Sequence, residues 1–554
     1  VTFYQKSFVA LGSTLLFSVV CPSAELAGTA NRDISNRVRE VLRRAAYLPG
    51  AVGVSVRCID NDSIIVAVDA DSPMIPASVQ KLVTGAMALE YLGPDYLFVT
   101  RTYIAGRLDP DSGTLCGDLY IKGGADPGLF VERLWLLGQQ LQHRGVRRIT
   151  GDLVLDDSFL DSVTQGPGFG EDASSRAYDA PVGAVSASFN CVAVHVRPGS
   201  RKGSPVHVDL FPPLQGVKLV NVGKTTAGGK PGAIDAKTSQ TAQGPVVEVS
   251  GALAVDDKPR YIYRKMWNAT ANFGDALQAM LTQNSVSIGG VVRRGRLPDS
   301  LAAREPFLAF ESQPLSEFVR HMFKESSNFA AEMVLKTVAA ERSGVPGSWA
   351  TGVDLATQWW RSRGLPGTPA ICNGSGMGKG NRISATQITA LLSYVWKQKA
   401  YLPDYLSALS TAGVDGTLQS RFKASPLRGI VRGKTGTLND YGVSALAGYV
   451  LYPQRTYAFA VLVNSSTGTQ FGHWAVQEKI IEEAMAAVGV AGPVSLRGSG
   501  PPAQGSRSGA KAGSTPRVKP TVADTSRVPV PRDSGAISGP SAGVPSSERK
   551  DTLQ

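Results

Sequence analysis

The apolar pattern near the two ends of this chain is of one kind and the pattern between them is of another. After Asp33, apolar residues recur at helical spacing (Ile34, Val38, Val41, Leu42, Ala45). Two strand-like runs follow over 51–59 and 63–70, turned at Asp60-Asn61-Asp62. Pro76-Ala77-Ser78 then opens a predicted helix over 78–91, which stops at Gly93-Pro94. Helical periodicity returns over 314–342, two more strand runs occupy 444–451 and 457–464, and a last helix is predicted over 473–488. From about 100 to 300 there are only short strands and Gly/Pro turns. Helices and a hairpin at both ends of a strand-rich middle predict one domain interrupted by an insertion.

The 554 residues leave room for that arrangement, since domains usually take about 100–200 residues each. With 43% hydrophobic and 18% charged residues, neither a mostly disordered chain nor a multi-span membrane protein is expected. The net charge of +12 first suggests a nucleic-acid partner. Its placement argues otherwise. The segment 491–554 has no aromatic residue, is rich in Gly, Pro and Ser, and carries nine basic residues against four acidic ones. Such a segment cannot bury a core, so it is read as a disordered tail holding five of the twelve charges. A basic tether for peripheral association with envelope polymers is its expected role beyond that of a linker. The remaining charge is ordinary, and no basic stretch is interleaved with aromatics, so no nucleic acid is expected.

Lys6, a short apolar run over 8–20 and the small residues Ser23, Ala24, Ala27 and Ala30 read as a secretory signal peptide over 1–30. The run is too short to span a bilayer comfortably. Cys21 invites a lipoprotein reading, but Val20 is not the small residue a lipobox wants. Four cysteines lie beyond it, Cys58, Cys116, Cys191 and Cys372. They are far apart, and either free thiols or one or two disulfides fit an exported chain. The five histidines are scattered as well, without HExxH, and no GxSxG elbow is present. No metal site and no cofactor are expected.

Ser78-Val79-Gln80-Lys81 places a hydroxyl and an ammonium at i and i+3, on one face of a helix start. A lysine there acts as base if burial and a nearby cation lower its pKa. The spacing alone is weak, since Ser-x-x-Lys recurs at Ser420, Ser508 and Ser547. Two further motifs follow in order: Ser326-Ser327-Asn328 and Lys434-Thr435-Gly436-Thr437. Ser-x-Asn also occurs at Ser188-Phe189-Asn190. A P-loop ending at Lys434-Thr435 would need Gly at position 428, which is Arg428.

The ordered set Ser78/Lys81, Ser326/Asn328, Lys434-Thr435-Gly436 resembles the penicillin-recognising serine enzymes. Ser326 lies 248 positions after Ser78. That large insertion makes the chain most similar to the class C low-molecular-mass penicillin-binding proteins, the D-alanyl-D-alanine carboxypeptidase/endopeptidase family. Gly123-Gly124-Ala125-Asp126-Pro127, Tyr178-Asp179-Ala180-Pro181-Val182, Asn373-Gly374-Ser375-Gly376 and Gly413-Val414-Asp415-Gly416-Thr417-Leu418 add to the likeness over about 31–490. The resemblance implies an α/β transpeptidase-like (serine β-lactamase-like) domain over 31–98 and 305–490. It also implies a strand-rich domain over 99–195 and 255–304, and a domain nested in it over 196–254.

The same resemblance implies a periplasmic serine carboxypeptidase, with DD-endopeptidase action open beside it, acting on peptidoglycan stem peptides and inhibited by β-lactam antibiotics. Ser78, Lys81, Ser326, Asn328 and Lys434 would be catalytic. Lys434 would hold neighbouring cation pKa values down by like-charge repulsion. Thr435, Gly436 and Thr437 would bind substrate, from a strand at a sheet edge. Asp172, with Glu171 as fallback, would read the free amine of a diaminopimelate stem. Asn373 stands where relatives usually have Asp, and Lys379 where some have Arg. Asp415 is read as a turn residue. A β-lactamase of the same fold and a non-catalytic wall-binding protein are the alternatives; Ser rather than Tyr before x-Asn, and the intact motifs, weigh against them.

Overall fold

The computed structural model describes residues 24–489 except 49, 171–173, 345 and 466–467. The tail read over 491–554 lies outside the described residues, as does the segment up to 23. The first helix, Ala24–Arg44, begins inside the stretch read as signal peptide.

Two distant parts of the chain build one antiparallel six-stranded sheet. Its order is Ser410–Thr411, Val431–Leu438, Val443–Leu451, Thr456–Asn464, Val52–Cys58, Ile64–Val68. The join is the pairing of Val52–Cys58 with Thr456–Asn464, Val54 opposite Val461. The central strands are apolar on both faces because helices cover both. Leu446, Val450, Phe459 and Val461 pack with Ile34, Val38, Ile480 and Ile481 of the terminal helices. On the other face Ala445, Ala447, Ala458 and Ala460 alternate with them and meet Leu82, Phe323, Val334, Trp359 and Leu391. Small side chains on that face let the buried helices Lys81–Leu92, Leu315–Lys324, Asn328–Ser343 and Ala385–Trp396 approach closely.

Two predicted helices differ in a way that matters for chemistry. Residues 78–80 belong to a tight 3₁₀ turn, Ala77–Gln80, and the α-helix starts at Lys81. The periodic stretch 314–342 is broken after Lys324. Ser326 is left-handed (φ +60°), and Ser327 caps the next helix by accepting from the Ala330 N–H at 3.2 Å. Periodicity did not reveal the break because both helices bury the same kind of face.

The middle of the chain forms three more sheets. Seven strands between Leu97–Asp109 and Leu308–Pro314 make one, with a core of Leu119, Ile121, Leu134, Leu137, Phe273 and Leu277. Its last strand runs past the seam expected at 304. Three strands (Cys191–Arg197, His207–Phe211, Arg260–Lys265) and four strands between Lys218–Asn221 and Gly244–Ala254 make the others. Both share the core of Val192, Val194, Val247 and Val249, so the small sheets reach beyond the expected 196–254. Cys58, Cys116, Cys191 and Cys372 are free thiols. Among the described residues no group of His, Cys, Asp or Glu is placed to hold a metal.

Candidate active site

The three motifs meet. Ser78 sits half-buried in the 3₁₀ turn, one residue after Ala77, whose φ is +45°. Such backbone is sparsely populated and needs support from its surroundings. Lys81 is fully buried directly beneath it. The Lys81 Nζ donates to Ser78 Oγ at 2.8 Å, to Asn328 Oδ1 at 2.7 Å and to the Ser375 carbonyl at 2.9 Å. As an ammonium, Lys81 serves all three acceptors. As a neutral amine it keeps hydrogens for Asn328 and Ser375, and its lone pair faces the Ser78 hydroxyl. Burial lowers its pKa from 10.5 to about 7, although the Glu332 carboxylate pulls it upward.

The second lysine lies opposite. The Lys434 Nζ, also fully buried, donates to Ser326 Oγ and to the Thr435 carbonyl, both at 2.8 Å. Burial, then the Lys81 charge, holds it well below the ordinary lysine range. The expected mutual repulsion is therefore visible on Lys434, whereas burial is what lowers Lys81. Left-handed Ser326 turns its hydroxyl out of the helix line toward Lys434, and Asn328 enters from the first turn of the following helix.

The Lys434 strand, expected at the sheet edge, is instead the second strand of its sheet. Ser410–Thr411 lies outside it but pairs only with Arg432 and Gly433. The edge from Lys434 to Leu438 is left unpaired among the described residues, which is what an incoming extended peptide needs. Gly436 faces the nucleophile turn. A Cβ there would lie 2.7 Å from the Pro76 carbonyl and 2.9 Å from the Ser78 nitrogen, so no other residue fits. The Thr435 hydroxyl donates to Thr417 Oγ1 at 2.8 Å, in the segment 413–418. Asp415 is a structural residue: it accepts from Lys324 at 2.7 Å and from the Thr411 N–H at 2.7 Å.

Asp172 and Glu171 lie outside the described residues. Asn190 of the other Ser-x-Asn is buried elsewhere and donates to the Pro181 and Met266 carbonyls, so that motif is structural. Asn373 is buried too. Its amide donates to the carbonyls of Pro167 (2.7 Å) and Met377 (2.8 Å), which a carboxylate could not do. Lys379 lies 4.2 Å from the Tyr441 ring, a cation–π contact between the 373–380 loop and the segment after the Lys434 strand.

Some residues were not found by the motif search. The Asn328 amide donates to the Tyr178 carbonyl at 3.1 Å, which orients its oxygen toward Lys81. That carbonyl belongs to the turn Ala177–Asp179, fixed by a buried ion pair between Asp179 and Lys265. The inserted region thus touches the site. Glu332, fully buried, receives the N–H groups of Gly374, Ser375 and the Trp349 ring. Its signal in the sequence was its place one helical turn after Asn328.

The chain is similar to known proteins. The family model described as D-Ala-D-Ala carboxypeptidase 3 (S13) family matches residues 34–487. A D-alanyl-D-alanine carboxypeptidase of Actinomadura sp. is 30% identical over 499 residues, covering 87% of this chain and 90% of that protein. The D-alanyl-D-alanine carboxypeptidase DacB of Haemophilus influenzae is 27% identical over 473 residues, 83% of this chain and 93% of the relative. The fold matches the crystal structure of penicillin binding protein 4 (dacB) from Haemophilus influenzae with a TM-score of 0.68 at 24% identity, over 82% of this chain and 98% of that one.

A lysine titrating near 7 gives the site a definite pH dependence. Below that pH Lys81 holds its proton and cannot take another from Ser78. The rate at which Ser78 is acylated by a chromogenic ester should fall about tenfold per unit below pH 7 and level off above it. A rate that stays flat from about pH 5 to 9 would contradict the assignment.

Proposed function

The chain belongs to the D-Ala-D-Ala carboxypeptidase 3 (S13) family, and from that premise we propose how its residues divide the work of a serine-type D-Ala-D-Ala carboxypeptidase. The observation that carries the reading is the 2.8 Å contact between Ser78 Oγ and a lysine whose pKa burial lowers to about 7.

Neutral Lys81 takes the hydroxyl proton as Ser78 Oγ attacks the carbonyl between two D-alanines of a stem peptide. The backbone N–H groups of Ser78 and Thr437 receive the developing oxyanion; losing one such donor typically costs roughly 10²–10³ in rate. The C–N bond then breaks. Ser326, held by Lys434, passes its proton to the leaving amine of the terminal D-alanine and recovers one from the Lys81 ammonium, which leaves Lys81 neutral again. Lys434, Thr435 and Thr437 meet the terminal carboxylate, and Gly436 lets this substrate-binding strand lie close against the nucleophile turn. Asn328 keeps Lys81 in place and hydrogen-bonds the substrate amide. Water, activated by Lys81, attacks the acyl ester and frees Ser78. The same steps on a cross-linked peptide amount to DD-endopeptidase action.

A β-lactam ring presents the same kind of amide and the same carboxylate, and its leaving nitrogen stays tethered after acylation. Penicillin should therefore acylate Ser78 and remain. The relative of known structure was also crystallised with a β-lactam. Asp172, in the resemblance, reads the free amine of the diaminopimelate stem. Residence in the periplasm belongs to the same reading, since the substrate lies outside the inner membrane and the first 30 residues read as a signal.

Fluorescent penicillin should label the wild type and leave Ser78→Ala unlabelled, with D-alanine release lost in the same variant. A wild type that takes no label, or that turns over nitrocefin rapidly, would overturn the reading. The labelled band should appear in osmotic-shock fluid; finding it only in cytoplasm contradicts export. Asp172→Asn should raise KM for a diaminopimelate-containing peptide about tenfold and leave penicillin labelling intact. An unchanged KM removes Asp172 from the site.

A further inference from the structure

The loop 373–377 is pressed between a helix and the nucleophile turn. A Cβ on Gly374 would lie 2.7 Å from the Ala331 carbonyl, and one on Gly376 would lie 1.9 Å from the Ala77 carbonyl. Gly376 also has φ +85°, so the loop can take this path only with glycine there. The Thr84 hydroxyl donates to the Gly374 carbonyl at 2.7 Å. The Ser375 carbonyl is the one that faces Lys81, at 2.9 Å.

The peptide that carries this carbonyl is fixed at its other end, where the Gly376 N–H donates to Asn373 Oδ1 at 2.8 Å, and the backbone leading into it is held by a carboxylate. Glu332 Oε1 accepts from the Ser375 N–H at 2.8 Å, and Oε2 accepts from the Gly374 N–H at 3.0 Å. Two successive N–H groups on one carboxylate hold the Gly374–Ser375 backbone that leads into that carbonyl. The Trp349 Nε1–H, at 2.7 Å from Oε2, holds the carboxylate from the far side. Lys336, one turn further along the helix, lies 4.0 Å from the Trp349 ring but spends its ammonium on Asp161 and the Val163 carbonyl. The Glu332 charge is therefore answered by N–H donors and by the field of the buried lysines, and among the described residues neither oxygen takes part in an ion pair.

We infer that Glu332 is a positioning residue for the acylation step: it anchors the Gly374–Ser375 backbone from which the Ser375 carbonyl reaches Lys81, and it supplies the negative charge under that lysine. This deepens the reading in which Lys81 is the base, and rests on it. The charged groups around Lys81 are few. Glu332 and Lys336 come from the helix Asn328–Ser343, and Lys434 from its strand. Asp179, on the turn that supports Asn328, is committed to Lys265. The loop itself carries no titratable side chain between 373 and 377.

Glu332→Gln removes the charge and leaves one acceptor oxygen for three donors. The expected result, read as the pH profile of penicillin acylation, is an acid limb displaced to lower pH by roughly half a unit or more. The sign follows from Lys81 losing an anion that favours its ammonium. The plateau rate should also fall, by about tenfold. Glu332→Asp keeps the charge and shortens the reach. It should leave the limb where the wild type has it and lower only the plateau. A limb unmoved in Glu332→Gln, or moved equally in both variants, would overturn the inference. A wild type without an acid limb near pH 7 would instead overturn the assignment of Lys81, so the two failures are distinguishable.

Discussion

Two ammonium groups without water are the constraint around which this site is built. Taking an ion out of water costs several kcal/mol, and Lys81 and Lys434 are both fully buried. The protein repays this with oxygen acceptors rather than with one carboxylate per lysine. Ser78, Asn328 and Ser375 serve Lys81, while Ser326 and the Thr435 carbonyl serve Lys434. The deficit that remains is useful. It moves Lys81 into the range where an amine and an ammonium interconvert at working pH. A lysine with a full salt bridge would be a poor base.

The fold makes such a pocket by bringing distant segments to one edge of a sheet. Ser78 comes from a turn early in the chain and Lys434 from a strand late in it; the pairing of Val52–Cys58 with Thr456–Asn464 joins those two parts. The helix break at Ser326 brings in the remaining hydroxyl. The inserted region takes part as well. The Tyr178 carbonyl orients Asn328, and the buried Asp179–Lys265 pair steadies the turn that carries it. An ion pair of that kind is weak evidence for stability but strongly destabilising to break. Changes in the insertion should therefore reach the chemistry through Asn328.

Much of this was legible in the sequence, and the reasons differ from part to part. The motif residues were readable because catalysis demands rare side chains at fixed spacing and in a fixed order. The sheet hairpins at 51–70 and 444–464 were readable because alternation survives even when both faces are buried. Three features escaped. The break at Ser326 is set by backbone conformation inside a stretch whose periodicity continues across it. Glu332 looks like an ordinary charged residue until tertiary packing buries it, and Asp179, within the stretch 178–182 that carries the resemblance, shows its role only through its buried pair with Lys265. Asn373 read as a departure from the family pattern, whereas two facing carbonyls require an amide there. The seams of the inserted sheets also shifted, since strand runs at 308–314 and 260–265 pair with partners far away in sequence.

The central claim is that burial makes Lys81 the base. Its most direct test is the titration of Lys81 itself. Spectra of protein carrying ¹³Cε-lysine, with the Lys81→Met variant to assign the resonance, would follow its charge state in the resting enzyme. The account predicts a midpoint at about 7 for that one signal. A Lys81 resonance that titrates near the ordinary 10.5 would contradict it.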